Sequence, residues 1–259
     1  MVPRSELLQG TEHRESLARL LDLAEQSLKT WQVTYSDFLS PPEIAEALSR
    51  FQRLTEVGAV AWGGYAQAER QRLAISRPEM LPSREQIPLA ALNIQGNFLF
   101  DTATHPDFLG AILGTGIVRD KVGDLLVLGE QGSQVIVLPE IADYLQTHLT
   151  QVRSVPVKVK GIPLGDLKIR PPQTKAIASV EASLRLDALA SAGFSMSRSK
   201  MVQEIERGEV RVNWKTVTQP SHPLNPQDLV TIRGRGRLQI DDVAETKKGR
   251  YRVQMTRFL

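Results

Sequence analysis

The spacing of apolar residues predicts two helices and a hairpin in the first part of the chain. Leucine and alanine recur at helical intervals across residues 1–30, which indicates an amphipathic helix. Ser40 and the two prolines after it predict a second helix start, because serine caps helices and proline fits the first turn. Apolar runs at 59–62 and 66–76 flank a glycine pair and suggest a hairpin. We expect a mixed N-terminal α+β domain over residues 1–77.

The following pattern alternates in the order strand, helix, strand, strand, helix, strand. The expected elements are strand 87–94, helix 107–113, strands 124–128 and 134–138, helix 139–149 and strand 152–159. This is the split ferredoxin-like order, which RNA-recognition folds also use. We therefore expect a ferredoxin-like, RRM-like middle domain over residues 78–160.

The two central strands of that domain lack the chemistry that such folds use to read single-stranded RNA. RNA-recognition folds stack bases on aromatic side chains of these strands. Here the strands offer only aliphatic candidates, which are Leu89, Leu92, Val135 and Val137. Phe98 and Phe100 follow the first strand and are candidates for the core. The fold can therefore be present without the base-stacking function.

Glycine and proline are frequent after residue 160, and the chain then changes character. They predict a linker over residues 161–182, stiffened by Pro171-Pro172. Beyond it, apolar spacing predicts a short helix that stops at Gly193. Ser197 is a good N-cap for a second helix that ends at Gly208.

The second of these helices has a polar, positively charged side. Met201, Val202 and Ile205 form its apolar side, while Lys200, Gln203 and Arg207 lie within about 60° of one another opposite. The first turn carries Arg198, Ser199 and Lys200, and cations there oppose the helix dipole. An anionic ligand would remove that penalty, because the exposed amides of a helix start favour phosphate.

The segment after the helices continues the basic pattern. Val210 and Val212 alternate with Arg211 and Asn213, and Lys215 lies in the next turn. After a strand at 229–232, glycines separate the arginines of a segment that we expect to be flexible, and these are Arg233, Arg235 and Arg237. Guanidinium groups match phosphate oxygens well, and glycine lets the backbone approach closely.

The net charge of +3 is unevenly distributed along the chain. Residues 1–157 hold 13 Lys and Arg against 19 Asp and Glu, whereas residues 158–259 hold 19 against 10. This asymmetry suggests that one part of the chain meets a polyanion. Clustering of solvated charge by chance is the alternative.

Residues 183–242 resemble an S4 domain, a small RNA-binding module of the alpha-L type. The matching residues, in order, are Arg185-Leu186-Asp187, Leu189, Ser197-Arg198-Ser199-Lys200, Ile205, Gly208, Val210, Val212-Asn213, Pro220 and Asp228-Leu229-Val230. Trp214 replaces the glycine that commonly follows the asparagine. The resemblance implies that structured RNA is contacted by Arg185, Ser197, Arg198, Ser199, Lys200, Gln203, Arg207, Asn213 and Lys215. The basic pattern described above adds Arg211 and the arginines of 233–237 to these candidates.

Most of the chain also resembles the YlmH-like proteins, which include the cyanobacterial photosystem II S4 domain proteins. The supporting segments are 105–110, 113–117, 119–124, 182–187 and 212–215. This resemblance implies a ribosome-associated factor. The photosystem label has no support from a membrane segment, because no run of about 18 apolar residues occurs.

Composition excludes several other classes of site. The chain has no cysteine, so disulfides, thiolate zinc sites and thiol catalysis are absent. The four histidines are scattered and show no metal-binding spacing. We expect no cofactor and no metal. The first residues lack the apolar stretch of a secretion signal, so we expect a cytoplasmic protein, and a monomer.

Two motifs carry alternative interpretations. Arg185-Leu186-Asp187 is similar to the catalytic tripeptide of pseudouridine synthases, but no catalytic domain follows it, so a helix-start role for Asp187 is favoured. The segment 119–124 is either a contact surface or, as we favour, a solvated turn with local ion pairs. Leu113-Gly114-Thr115-Gly116 lacks a third glycine and follows a helix, so it closes that helix instead of binding a dinucleotide.

These patterns together predict a non-catalytic protein that binds structured RNA, either ribosomal RNA or ribosome-bound tRNA, in ribosome assembly or quality control. One alternative is a protein-docking or regulatory factor, with a link to photosystem II, that uses the basic module as an anchor. Another is an RNA-modifying enzyme with its site in the middle domain. The residues 243–259 are expected to form a basic C-terminal extension.

Overall fold

The computed structural model describes residues 4–171 and 173–258, and the chain divides into two compact units between Ile169 and Arg170. Helices and strands occur in both units, which confirms the α+β class. The first unit holds the N-terminal and middle parts of the chain, and the second holds the S4 region. Each has its own hydrophobic core.

The N-terminal part of the first unit packs helices against a three-stranded antiparallel sheet. Its elements are α1 (Arg4–Leu7), α2 (Arg14–Thr30), β1 (Thr34–Leu39), α3 (Pro41–Phe51), β2 (Gly58–Trp62) and β3 (Gln71–Ser76), with strand order β1-β3-β2. The predicted hairpin is confirmed as β2–β3. The single helix expected over residues 1–30 is wrong, because the chain turns between α1 and α2 at Gly10, whose φ is +67°.

The predicted start of α3 is confirmed, and its cap explains why the helix begins there. The Glu43 carboxylate accepts hydrogen bonds from the Ser40 N–H at 2.7 Å and the Ser40 O–H at 2.6 Å. These bonds anchor the first turn, into which Pro41 and Pro42 fit without losing a backbone bond.

The middle part of the first unit has the ferredoxin-like arrangement. Its elements are β4 (Ala90–Gln95), α4 (His105–Gly114), β5 (Val122–Val127), β6 (Gly132–Val137), α5 (Pro139–His148), β7 (Gln151–Val152), β8 (Val155–Pro156) and β9 (Lys158–Ile162). The antiparallel sheet has the order β5-β6-β4-β9, in which the first and third strands of the β-α-β-β-α-β order are central.

Two expectations for this domain need correction. The single strand expected over residues 152–159 is instead the small β7–β8 hairpin followed by β9, since the alternating pattern spans a turn at Arg153, whose φ is +53°. Phe98 is buried against Phe108, as expected, but Phe100 is 92% exposed. Leu92, Val135 and Val137 lie in the core with α4 and α5.

The second unit is a six-stranded antiparallel sheet with two helices. Its elements are β10 (Thr174–Glu181), α6 (Leu186–Gly193), α7 (Arg198–Glu206), β11 (Val210–Val212), β12 (Lys215–Thr216), β13 (Leu229–Ile232), β14 (Gly236–Glu245) and β15 (Tyr251–Phe258), with strand order β10-β15-β14-β13-β11-β12. The predicted end of α6 at Gly193 and the predicted strand at 229–232 are confirmed.

Two predicted segments differ from the structure of this sheet. The linker expected over residues 161–182 includes the end of β9 and all of β10, which pairs with β15 along its whole length. Of the extension expected over 243–259, residues 243–258 form the end of β14, a turn and β15, and residue 259 lies outside the described residues. Val253 and Met255 are buried in the core of the unit, so burial and backbone pairing hold β15 in place.

Candidate functional site

Helices α6 and α7 cover one face of the six-stranded sheet. Leu189 of α6 and Met201 and Ile205 of α7 are fully buried with Val210 and Val230 of the sheet. Because these apolar side chains face inward, the opposite side of α7 is left to solvent, whereas every residue of α6 is buried or half-buried. The exposed side of α7 and the starts of the two helices carry most of the predicted site.

A continuous polar arc runs along the exposed side of α7. At 100° per residue, four exposed residues fall within an arc of about 100°, and these are Ser199, Lys200, Gln203 and Arg207. Lys200 does not pair with Glu204, and within the described part of the chain neither Lys200 nor Arg207 has a salt bridge. Glu204 and Glu206 border the arc on its two sides, so its cations are flanked but not neutralised by direct contact.

Arg185 and Arg198 are held by a buried carboxylate. Asp187 is 3% exposed, and its Oδ1 and Oδ2 accept hydrogen bonds from Arg185 Nε at 3.0 Å and Arg198 Nε at 2.9 Å. Burial alone would raise the pKa of Asp187, but the hydrogen bonds from the two guanidinium groups outweigh it and hold the pKa below its usual value. Two arginines around one carboxylate leave a net positive charge at the start of both helices.

The start of α7 matches the sequence prediction. Ser197 is the N-cap, and its Oγ accepts a long hydrogen bond of 3.4 Å from the Lys200 N–H. The Ser197 and Ser199 hydroxyls lie 3.3 Å apart, and both residues are exposed. The Asp187–Arg198 contact ties this helix start to α6.

Arg211 and Arg237 lie on the other face of the sheet. Val210 and Val212 are buried beneath the helices, so Arg211 points the opposite way. Arg211 is paired across the sheet with Thr231, which is paired with Arg237. The predicted residues therefore do not form a single surface, because the sheet separates these two arginines from the arc on α7.

Asn213 is used by the fold itself. Its Nδ2 donates to Asp228 at 2.7 Å and its Oδ1 accepts from the Leu229 N–H at 3.0 Å. Asn213 and Trp214 have φ of +48° and +69°, so the two-residue turn between β11 and β12 is left-handed at both positions. Trp214 keeps the conformation that glycine would adopt freely. The side chain of Lys215, opposite Val212, lies on the helix side at the edge of the sheet.

The arginine–glycine segment, expected to be flexible, forms a tight turn. Ile232 pairs with Gly236 at the ends of the β13–β14 hairpin, and Gly234 and Gly236 have φ of +72° and +91°. Arg233 and Arg235 are exposed at its tip. Arg237 is already in β14, with its guanidinium 5.5 Å from the centre of the Phe258 ring.

The segment 119–124 has a role that neither sequence interpretation anticipated. The Asp124 carboxylate accepts hydrogen bonds from the Tyr65 hydroxyl at 2.7 Å and from the backbone N–H groups of Glu69 and Arg70 at 2.7 and 2.9 Å. It therefore joins the middle domain to the loop before β3. Among the described residues, no group of three or more acids and histidines is placed to hold a metal ion.

Three family models match successive parts of the chain. They are "YlmH, N-terminal" over residues 12–80, "Putative RNA-binding domain in YlmH" over 82–166 and "S4 domain" over 184–230. The last of these contains α6, α7 and the hairpin that follows. In the part of the chain that the structure describes, no helix combines the length and apolar character needed to cross a membrane.

Two individual proteins extend this likeness. "Ribosome-associated protein quality control protein P2" of Bacillus subtilis (strain 168) is 34% identical over 228 residues, which cover 88% of each chain. The solved structure of "Cell division protein ylmH from Streptococcus pneumoniae" aligns with a TM-score of 0.54 and 19% identity over 62% of this chain and 96% of that one, which shows a shared fold. The chain therefore belongs to the YlmH family and contains an S4 domain.

Proposed function

We propose that this protein is a non-catalytic factor that binds structured RNA, either ribosomal RNA or ribosome-bound tRNA, and acts in ribosome assembly or quality control. The observation that carries the proposal is the exposed arc on α7, next to the arginines that Asp187 holds. In this arc neither Lys200 nor Arg207 forms a salt bridge with any residue that the structure describes. The S4 domain match and the name of the Bacillus relative support RNA and the ribosome as partners.

The chemistry of the arc suits the backbone of a folded RNA. Lys200 and Arg207 would neutralise phosphates, and Ser199 and Gln203 would fix the position of the RNA by hydrogen bonds. Arg198 is oriented by Asp187 and keeps guanidinium N–H groups for a further phosphate. A rigid two-helix surface can match the phosphate spacing of folded RNA without unstacking its bases.

The environment of Asp187 supports a non-catalytic role for its tripeptide. A nucleophilic or basic carboxylate must reach the reacting atom of its substrate. Asp187 is buried, and both of its oxygens are occupied by arginines. Its role is to position Arg185 and Arg198.

Charge reversal in the arc tests the proposal. We expect Lys200→Glu with Arg207→Glu to weaken binding of the full-length chain to purified large ribosomal subunits about 100-fold at ~100 mM salt. The matched control is Lys247→Glu with Lys248→Glu, which makes the same charge change in the exposed β14–β15 turn. Equal affinities of the two double variants would contradict the proposed surface.

The charge asymmetry favours a second candidate function, that of a protein-docking factor. A link to photosystem II would belong to this second candidate. Residues 1–157 carry a net charge of −6, from 13 basic and 19 acidic residues, so this part is unsuited to bind RNA by charge alone. Co-sedimentation with ribosomes of residues 1–169, the first compact unit, separates the two candidates when the unit carries Lys158→Glu and Lys160→Glu, which remove the exposed positive charge of β9. Retention without the S4 domain favours docking, and loss of retention favours the RNA surface.

A further inference from the structure

The ferredoxin-like sheet has one face that is only partly covered. Helices α4 and α5 cover one side, and on the other side Phe38, Leu164 and Leu167 pack over Ile136 and Ala91. The segment that carries Leu164 and Leu167 is held against the sheet at one end, because the Gln134 side chain donates to the Asp166 carbonyl and accepts from the Lys168 N–H. Beyond Gln134 the sheet is open.

This open part forms a polar bay of about 520 Å³ at the end of β4, beside the turn between β5 and β6. Its floor is Asn93 and Gln95, and its walls include Gln131, Lys168 and Leu99. Glu130 is the one acid among the described residues that line it. The volume lies in the range of small-ligand sites.

The edge strand adds two lysines to the same face. Lys160 pairs with Asn93 and Lys158 pairs with Gln95 in the β4–β9 register. Val159 between them is buried with the helices, so both lysines point to the side of the bay. Lys158 and Lys160 are exposed, and within the described residues neither has a salt bridge. Lys168 donates to Gln131 at 3.2 Å.

The floor amides are also available to a ligand. Among the described residues the side chains of Asn93 and Gln95 have no hydrogen-bond partner, although both line the bay. A side-chain amide offers donors and an acceptor, which is the combination needed at the edge of a base. These unpaired amides and the three lysines distinguish the open part of this face of the sheet from the part that Leu164 and Leu167 cover.

An exposed aromatic residue directly follows a residue that lines this bay. Phe100 follows Leu99, which lines the bay, and it is 92% exposed. An aromatic ring left in water gains by stacking on a base, and such stacking accepts any base. Phe100 thus supplies from a loop the stacking group that the central strands lack.

We infer that the bay lined by Asn93, Gln95 and Lys168, together with Lys158 and Lys160 on the same face of the adjacent strand, binds an unpaired stretch of RNA, with Phe100 stacking on a base. The lysines hold phosphates and the amides contact base edges. This inference rests on the proposed function only because it takes RNA as the ligand. It adds a second binding site, which recognises single-stranded RNA. The S4 surface, by contrast, holds folded RNA.

The test uses the full-length chain and two probes, a ten-nucleotide single-stranded RNA without secondary structure and a stable RNA hairpin. We expect Lys158→Glu with Lys160→Glu to weaken binding of the single strand about tenfold. Phe100→Ala gives a loss of about tenfold, which Phe100→Trp restores. The control, Lys29→Glu with Arg84→Glu, makes the same charge change at exposed positions of the first unit and leaves this affinity within twofold.

The two probes separate failure of this inference from failure of the proposed function. Lys200→Glu with Arg207→Glu should weaken the hairpin and spare the single strand, and loss of that hairpin effect contradicts only the S4 proposal. If the bay variants bind the single strand as the control does, the bay inference is overturned. That outcome would also be the one expected if the bay receives a protein segment.

Discussion

Replacing Asp187 by asparagine should loosen the pair of helices that carries the RNA-binding arc. The substitution keeps the size of the side chain but removes the charge that receives Arg185 and Arg198. A hydrogen bond between charged groups contributes about 1.5–3 kcal/mol. Because the two arginine side chains are 43% and 56% exposed, solvent screens these contacts, and we expect a loss of about 2 kcal/mol in total.

The pH dependence of this loss follows from the direction of the pKa shift. The folded-state pKa of Asp187 is lowered, so its contribution to stability is full above the unfolded value of about 4 and is lost as the pH falls through the folded value. The difference in stability between the natural chain and Asp187→Asn should be complete at neutral pH. It should shrink in acid below pH ~4.

Hydrogen exchange of peptides from α6 and α7 measures the effect locally. A loss of about 2 kcal/mol predicts roughly 30-fold faster exchange at pH 7. Asp242→Asn is the matched control, because Asp242 is exposed and has no salt bridge among the described residues. Equal protection in the two variants at pH 7 would show that the arginines do not depend on Asp187.

Three further substitutions test the fold around the two proposed sites. Gly123→Ala should destabilise the first unit by ~1–3 kcal/mol in urea unfolding, because the added Cβ would lie 2.7 Å from the Phe38 ring. Asn213→Ala should cost ~1–2 kcal/mol in the second unit, measured by hydrogen exchange of β13, because it breaks the bonds to Asp228 and the β13 backbone. Asp124→Ala should cost about 3 kcal/mol and speed exchange in residues 65–70, and unchanged exchange there would contradict its joining role.

The sequence predicted the local elements of the S4 domain because their signals are local. Ser197 as a cap, Gly193 as a helix end and the apolar side of α7 all depend on neighbours within a few residues. The ferredoxin-like order also followed from element order, and the strand order of the sheet is the one that this order implies.

Besides the missed turns at Gly10 and Arg153, the errors came from contacts that are distant in sequence. Strand β10 pairs with β15, whose residues lie 70 to 84 positions later, and the glycines and prolines that precede β10 therefore indicated a linker. The Asp187 contact to Arg198 and the Asp124 contacts to residues 65–70 span gaps of 11 residues and more than 50 residues. The spacing of apolar and polar residues along the sequence does not predict such distant contacts.

The division of the predicted site between two faces is the same kind of error. Alternation along β11 correctly separates Arg211 from the buried valines, but it does not say which side the helices cover. That choice depends on how α6 and α7 pack on the sheet. The arc on α7 and the Arg211–Arg237 side therefore need separate experiments.

Site-directed crosslinking tests the central claim most directly, because the chain contains no cysteine to compete with an introduced one. Gln203→Cys places a photoreactive probe in the arc of α7, and Gln254→Cys places it on the exposed opposite face of β15. With purified large ribosomal subunits, we predict crosslinks to RNA from position 203 and few from position 254. Strong crosslinking from 254 with none from 203 would contradict the account.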